Sequence, residues 1–105
     1  MVFIDTSIFT RQAQVLLTDS ELRELQQALA IRPGIGSLLV AGGGLRKVRW
    51  TRQGKGKSGG VRVIYYWEVT ADQILMLFAF AKGERADLTS AQLKTLTEIA
   101  EEEYS

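Results

Sequence analysis

The chain has 105 residues, of which 46% are hydrophobic and only one is proline, so it can fold around one modest hydrophobic core. It has no cysteine and no histidine, which excludes disulfide frameworks, thiolate zinc sites, cysteine nucleophiles and mechanisms that depend on an imidazole. We expect a single domain over residues 1–105 with no metal or other cofactor. Without a leader peptide or an apolar run of membrane-spanning length, the sequence predicts a soluble cytoplasmic protein with no membrane partner.

The first part of the chain predicts a terminal strand and two helices. Residues 1–5, MVFID, form a short run that is typical of a strand, and Thr6 or Ser7 can cap the helix that follows. Thr18 and Glu21 have the spacing of a capping box, so a second helix begins there and ends at the single proline. These two helices predict a hairpin whose apolar stripe faces a sheet.

The middle of the chain predicts strands of different character. Residues 38–40 are a short apolar piece that fits either a brief strand or an extended loop. Residues 45–50 alternate, which puts Leu45, Lys47 and Arg49 on one face and Arg46, Val48 and Trp50 on the other. Residues 51–60 predict a glycine-rich, charged loop. Residues 61–69 predict a central strand with Val61, Val63, Tyr65, Trp67 and Val69 on one side and Arg62, Ile64, Tyr66 and Glu68 on the other.

The last part of the chain predicts one more strand and a helix. Residues 74–81 are almost continuously apolar, as in a strand covered on both faces, and short connections favour an antiparallel meander. Thr89 and Gln92 have capping-box spacing at the start of a helix that runs to Tyr104. The fold class is therefore α+β, with the helix hairpin and the C-terminal helix packed on a small, mainly antiparallel sheet.

The net charge of +1 conceals a basic band in the middle of the chain. No Asp or Glu occurs from Leu25 to Trp67. The basic residues of segment 42–67 are Arg46, Lys47, Arg49, Arg52, Lys55, Lys57 and Arg62. A positive field of this kind suits a polyanion such as RNA, although a solvated charged face would give the same pattern.

The order of these motifs resembles the RelE/HigB superfamily of toxins from bacterial toxin–antitoxin modules. The resemblance is carried by GGLRKVRW, the basic glycine-rich loop, GGVRVIYYW, an apolar strand ending in AKGE, and DLTSAQLKTL. It covers nearly the whole chain and is closest to the HigB branch. It implies a RelE-like fold and a ribosome-dependent mRNA endonuclease, or interferase, that cuts mRNA in the A site of the small (30S) ribosomal subunit. It also implies a cognate helix-turn-helix antitoxin as partner.

The resemblance also implies roles for the cations. In such toxins the ribose 2′-hydroxyl attacks the adjacent phosphate, giving a 2′,3′-cyclic phosphate and a free 5′-hydroxyl. By similarity, Arg62 holds the scissile phosphate, Lys47 and Arg49 occupy basic positions that include a candidate general base, and Lys82 stabilises the transition state or donates a proton. Lys55 and Lys57, with Arg46 and Arg52, are expected to bind RNA phosphates.

Several alternatives remain open at this stage. Arg62 could instead form a structural ion pair with Glu68 or with an acid of the C-terminal helix, and Lys82 could protect a strand edge from aggregation. Some relatives have a tyrosine or histidine after the last strand, where this chain has Ala86-Asp87-Leu88, so the general acid is not identified. Tyr65 and Tyr66 could replace it, although their strand positions favour the core. A non-catalytic RelE/ParE-fold protein that acts by binding, for example on gyrase, or a degenerate relative that binds RNA without cutting, is the competing function.

Overall fold

The computed structural model describes residues 1–40, 42–51, 60–83 and 88–104. Its helices and strands are β1 (Val2–Asp5), α1 (Ser7–Leu16), α2 (Asp19–Ile31), β2 (Ser37–Leu38), β3 (Leu45–Trp50), β4 (Val61–Glu68), β5 (Gln73–Ala81) and α3 (Ser90–Tyr104). The α+β class is confirmed. The ambiguous piece at residues 38–40 contributes Leu38 to a two-residue strand, and most of the predicted loop, residues 52–59, lies outside the described residues.

The five strands form one mixed sheet in the order β1-β5-β4-β3-β2. Strands β3, β4 and β5 form the predicted antiparallel meander, and β2 pairs antiparallel with the outer side of β3. Strand β1 pairs in parallel with β5, so the sheet is mainly but not entirely antiparallel. Strands β1 and β2 therefore form its two edges.

Each helix begins at a threonine whose side chain satisfies a backbone donor. Thr6 caps α1, as one of the two residues predicted for that role. In α2, the N–H of Glu21 donates to the Thr18 hydroxyl at 3.1 Å, and the N–H of Thr18 donates to the Glu21 carboxylate at 2.8 Å. Thr89 and Gln92 form the same reciprocal pair at α3. Local sequence therefore fixes where all three described helices start, since a cap satisfies donors that the helix leaves unpaired.

The sheet has a different hydrophobic core on each face. The α1/α2 hairpin covers one side, called here the hairpin face, where the buried core residues include Phe9, Leu25, Leu29, Val48, Val63, Tyr65 and Met76. Helix α3 covers part of the other side, called here the α3 face, where the buried residues include Leu45, Ile64, Leu75, Leu77, Phe80, Leu96 and Ala100. Because both faces of the central strands are covered along part of their length, β5 is apolar almost throughout.

Within the described residues, no helix is long and apolar enough to cross a lipid bilayer.

Candidate nucleic-acid interface

Strands β3 and β4 bring three of the predicted site residues to one face of the sheet. Lys47 lies opposite Ile64, and Arg49 lies directly opposite Arg62. Ile64 belongs to the core under α3, and side chains alternate along each strand. Lys47, Arg49 and Arg62 therefore all project from the α3 face.

A bulge in β5 brings Lys82 to the same face. Ile64 pairs with Phe78 but Tyr65 pairs with Met76, so Leu77 is the extra residue. Before the bulge, the odd-numbered residue Leu75 faces α3. After it, the even-numbered residues Phe78 and Phe80 do. Lys82 follows Phe80 by two residues and so projects from the same face. Its backbone N–H donates to Gly60 O at 2.9 Å. We call Lys47, Arg49, Arg62 and Lys82 the cation cluster.

The cation cluster lies at the end of the α3 face that α3 leaves open. The C-terminal end of α3 lies at the opposite end of the sheet, where the Tyr104 hydroxyl is 3.1 Å from Gln73 Oε1 and its ring lies 5.7 Å from that of Tyr66. The first turn of α3 lies beside Phe78, with which Ala91 and Gln92 line a cavity. Arg49 and Lys82 are exposed and Lys47 and Arg62 are half-buried. The cations are thus held on ordered strands but remain accessible to solvent.

The pairing of Arg49 with Arg62 is electrostatically unfavourable in the protein alone. Side chains directly opposite each other on antiparallel strands have Cβ atoms about 4.5–5.5 Å apart, and like charges at such positions destabilise a sheet. Burial, and secondarily the positive charge of Arg49, lower the pKa of Arg62 from its ordinary value. Within residues 1–40, 42–51, 60–83 and 88–104, no carboxylate lies within ion-pair distance of either arginine. An anion between the two guanidinium groups would relieve their repulsion and accept several hydrogen bonds.

Among the described residues, Arg62 does not form the structural ion pair with Glu68 or with an acid of α3 that the sequence left open. The Glu68 carboxylate accepts hydrogen bonds from the hydroxyl of Thr70 at 2.6 Å and from its backbone N–H at 3.4 Å. In the described part of the chain, no acid of α3 pairs with Arg62 either. Arg62 therefore has no acidic partner among the described residues.

Arg46 lies on the opposite face, although it is adjacent in sequence to Lys47. One guanidinium nitrogen of Arg46 donates to Gly36 O at 2.8 Å and to Gly34 O at 3.2 Å. Its cross-strand partner Tyr65 is fully buried and donates its hydroxyl hydrogen to Pro33 O at 2.6 Å, while the N–H of Gly36 donates to that hydroxyl at 2.9 Å. These hydrogen bonds give Arg46 a structural role in the loop after α2, so it is not part of the cation cluster.

Gly36 shows how closely this loop approaches the sheet. A Cβ atom at Gly36 would lie 2.9 Å from the Tyr65 hydroxyl and 3.0 Å from Lys47 O, so any side chain there would displace the loop. Only glycine permits this approach of backbone to side chain. The loop is therefore held against the sheet by contacts on the hairpin face.

The other predicted site residues divide into two groups. Arg52, Lys55 and Lys57, expected to bind RNA, lie outside the described residues, as do Ala86 and Asp87. Of the two candidate acids, Tyr65 lies on the hairpin face, away from the cation cluster. Tyr66 lies on the α3 face, diagonally across the strands from Lys47, and packs beside the C-terminal end of α3. Tyr65 has the core role that its strand position favoured, and Tyr66 is half-buried against the core under α3. Sequence reasoning named Arg49 and Arg62 but missed that they face each other, because alternation does not specify register.

A family model described as the RelE toxin of the RelE/RelB toxin–antitoxin system matches residues 1–105. The match covers the whole chain, and the three helices and mixed five-stranded sheet agree with a RelE-like fold. The chain belongs to the RelE toxin family, whose toxins pair with antitoxins.

Proposed function

We propose that this RelE-family toxin is a ribosome-dependent mRNA endonuclease of the HigB branch that cuts mRNA in the ribosomal A site and so inhibits translation. The observation that carries the proposal is the placement of Arg49 opposite Arg62 at the open end of the α3 face. Two guanidinium groups that face each other without a carboxylate among the described residues are suited to the charge of a phosphodiester. The branch assignment and the helix-turn-helix type of the antitoxin rest on the sequence resemblance.

The proposed reaction is an internal transfer at phosphorus. The ribose 2′-oxygen forms a bond to phosphorus as the bond from phosphorus to the 5′-oxygen of the next nucleotide breaks. The 2′-hydroxyl proton passes to a base, and the leaving 5′-oxygen receives a proton. The products are a 2′,3′-cyclic phosphate and a free 5′-hydroxyl, so the reaction requires no redox partner and no covalent enzyme intermediate.

The cation cluster would act mainly on the charge that develops at phosphorus. Arg62 would donate to the non-bridging oxygens and hold the phosphate, with Arg49 on the facing strand as the second donor. Lys47 or Arg49 occupies the family position of the candidate general base, and a lysine can accept a proton only in its neutral form. Lys82 would stabilise the transition state or supply the proton to the leaving oxygen.

The open position of the cation cluster supports a requirement for the ribosome. Arg49 and Lys82 are exposed on the surface of the sheet, where few groups can orient an RNA strand. Correct orientation of reacting groups contributes a large share of catalysis, on the order of 7–11 kcal/mol for well-aligned systems. The A site would provide that orientation by holding the mRNA while the toxin supplies charge stabilisation.

A second candidate function is binding without cleavage, as in a RelE/ParE-fold toxin that inhibits gyrase or in an RNA-binding relative. The observation that favours it is the position of the tyrosines, since Tyr65 lies on the hairpin face and the ring of Tyr66 packs against that of Tyr104. Arg49 and Arg62 favour the nuclease, because two like charges at facing strand positions destabilise the protein alone and are suited to the charge that develops at a reacting phosphate.

Cell-free translation with primer extension on the mRNA tests the proposal. Wild-type protein should produce cuts within codons only when ribosomes translate the message, and Arg62→Ala should reduce the cleavage rate by about 100-fold or more, the loss typical of a removed transition-state donor. Arg23→Ala provides the matched control, because Arg23 is an exposed arginine of α2 on the other side of the sheet.

Equal loss of cleavage in Arg23→Ala and Arg62→Ala would contradict the assigned site. Intact mRNA with wild-type protein would contradict the nuclease, and inhibition of gyrase supercoiling by the same protein would then support the binding function.

A further inference from the structure

Strand β5 extends beyond the edge strand beside it. Strand β1 ends at Asp5, which pairs with Met76, whereas β5 continues to Ala81. Leu77 and Ala79 in this extension are 1% and 2% exposed. Since an unpaired buried peptide group costs stability, the backbone groups that these residues turn away from β4 require partners within the protein.

Thr6, the residue that caps α1, bonds both carbonyls at the bulge of β5. Its backbone N–H donates to Met76 O at 3.1 Å, and its hydroxyl donates to Leu77 O at 3.3 Å. In a regular strand, consecutive carbonyls point to opposite sides. Both carbonyls reach Thr6 here because Leu77 is the extra residue of the bulge. The bond from the Thr6 hydroxyl therefore exists only in the bulged strand.

Gln12, in the second turn of α1, bonds β5 just beyond the bulge. The N–H of Ala79 donates to Gln12 Oε1 at 2.7 Å, and Ala79 pairs with Val63 of β4. Without the bulge, the register that precedes it would continue, and Val63 would pair with Phe78 instead. The N–H of Ala79 would then point toward β4 and away from Gln12, since successive residues of a strand alternate in direction. This bond too is available only in the bulged register.

The register of this part of β5 determines the face from which Lys82 projects. In the bulged register, Phe80 lies opposite Arg62, and Lys82 lies two residues further along the α3 face. A shift of one residue would put the Lys82 side chain on the hairpin face, on the other side of the sheet from Arg49 and Arg62. Two side chains at α1 therefore form hydrogen bonds that favour the register in which the cation cluster is complete.

We propose that Thr6 and Gln12 are positioning residues that hold Lys82 in the cation cluster by selecting the bulged register of β5. Both act through the backbone of β5, and neither belongs to the cation cluster. Their effect on cleavage rests on the proposed function, whereas their effect on the register of β5 does not.

Two substitutions at Thr6 separate its bond to the bulge from its role as a helix cap. The Thr6 hydroxyl also accepts a hydrogen bond from the N–H of Phe9 at 3.2 Å. Thr6→Asp keeps an acceptor for that N–H, but an ionised carboxylate has no proton to donate to Leu77 O. Thr6→Ser keeps both functions. The two variants should therefore retain α1 but differ in the bulge.

A matched series of substitutions tests Gln12. Gln12→Met keeps a side chain of similar length but removes the acceptor for the N–H of Ala79, whereas Gln12→Glu keeps a carboxylate oxygen as acceptor. Gln26→Met is the control, because the Gln26 amide donates to Asp5 at 3.3 Å and its printed contact does not involve the bulged part of β5.

NMR on the toxin alone measures the register. Non-hydrogen-bonded partners on antiparallel strands have Cα atoms about 4.5 Å apart, so the Hα atoms of Val63 and Ala79 should give a strong nuclear Overhauser contact in the wild type. In Thr6→Asp and in Gln12→Met this contact should weaken, a contact between Val63 and Phe78 should appear, and the Ala79 amide should exchange faster. The conservative variants and the control should keep the wild-type pattern.

Two results of this measurement would overturn the proposal. The first is a wild-type protein in which the Hα atoms of Val63 and Ala79 give no contact. The second is a wild-type contact and a wild-type rate of Ala79 amide exchange in both Thr6→Asp and Gln12→Met.

Primer extension after cell-free translation tests whether the effect passes through Lys82. Gln12→Met should lower cleavage per folded molecule by up to about 100-fold, as a small misplacement of a reacting group can do. Gln12→Glu should cleave like the wild type. In a Lys82→Ala background, Gln12→Met should have little further effect, because the group that it displaces is already absent. Equal fold losses in the two backgrounds would overturn the positioning role.

The two measurements distinguish failure of the positioning role from failure of the nuclease. If wild-type protein leaves mRNA intact, the nuclease is contradicted, and the NMR register decides the positioning of Lys82 by itself. If Gln12→Met has an altered register but cleaves like the wild type, the positioning role is overturned and the nuclease is supported.

Discussion

Two arginine positions on the same pair of strands have opposite environments. Arg46 faces Tyr65 on the hairpin face, and its guanidinium donates to the carbonyls of Gly34 and Gly36. Arg49, three residues later, faces Arg62 at the open end of the α3 face, with no carboxylate partner in the described part of the chain. The first pair ties a loop to the sheet, whereas the second pair keeps two like charges together.

This difference shows how residues of one type can serve stability on one face and binding on the other. A hydrogen-bonded arginine lowers the free energy of the folded state, while facing arginines raise it unless an anion lies between them. If this interpretation is correct, substitutions on the two faces should have opposite effects on stability.

The largest stability effect is expected at Tyr65. Tyr65→Phe leaves the buried N–H of Gly36 without its acceptor and Pro33 O without its donor, so the free energy of unfolding should fall by about 1–3 kcal/mol. Urea denaturation measures the change. Tyr66→Phe is the control, because the Tyr66 hydroxyl makes no hydrogen bond to any described residue. An equal fall in the free energy of unfolding for Tyr66→Phe would contradict the stabilising role assigned to the Tyr65 hydroxyl.

A smaller loss of stability is expected at Arg46. Arg46→Met keeps an apolar stem but removes both hydrogen bonds to the loop, which should lower the free energy of unfolding by about 1 kcal/mol. Cleavage per folded molecule should remain close to that of the wild type, as measured by primer extension. A variant of normal stability that has lost cleavage would instead place Arg46 in the RNA site.

Arg49→Met should stabilise the protein, whereas the substitutions at Tyr65 and Arg46 should destabilise it. Removing one of the two facing charges should raise the free energy of unfolding by about 0.2–1 kcal/mol. Because salt screens the repulsion, added salt should stabilise the wild type more than this variant. Urea denaturation at low and high ionic strength checks both points, and a destabilised variant with unchanged salt dependence would contradict the repulsion.

The smallest expected effect is a loss of stability at alkaline pH. Burial raises the pKa of Tyr65, although the hydrogen bond from Gly36 and the charge of Arg46 oppose this shift. Up to the ordinary tyrosine pKa of about 10, both folded and unfolded states keep the proton. As the pH rises further, the unfolded chain loses it first, so the free energy of unfolding should fall.

Comparison with Tyr65→Phe isolates this contribution, since burial also raises the pKa of Tyr104. Unfolding measured between about pH 8 and pH 11 should show a steeper decline for the wild type than for the variant. Parallel declines would mean that Tyr65 does not contribute.

Most of the fold could be predicted because its signals are local. The capping pairs Thr18/Glu21 and Thr89/Gln92 and the single proline marked the helix ends close to where they occur. The alternation in residues 45–50 and 61–68 assigned each side chain of β3 and β4 to a face. The parallel pairing of β1 with β5 was not predicted, because strand direction depends on how the chain returns to the sheet after α1 and α2.

The candidate site was predicted in composition but not in geometry. The sequence and its resemblance to the RelE/HigB superfamily named Lys47, Arg49, Arg62 and Lys82. Only the register of β3 against β4 put Arg49 opposite Arg62.

The sequence by itself determined the elements, the basic middle and the side of each strand, because helix caps and side-chain alternation depend on neighbours in the chain. The tertiary structure determined which strand positions pair, and so which side chains lie next to each other. Lys82 shares a face with Arg62 only because Leu77 is an extra residue in β5, since without that bulge the alternation from Leu75 would put Lys82 on the hairpin face. One inserted residue inverts every side chain that follows it, and pairing with a neighbouring strand determines where that happens.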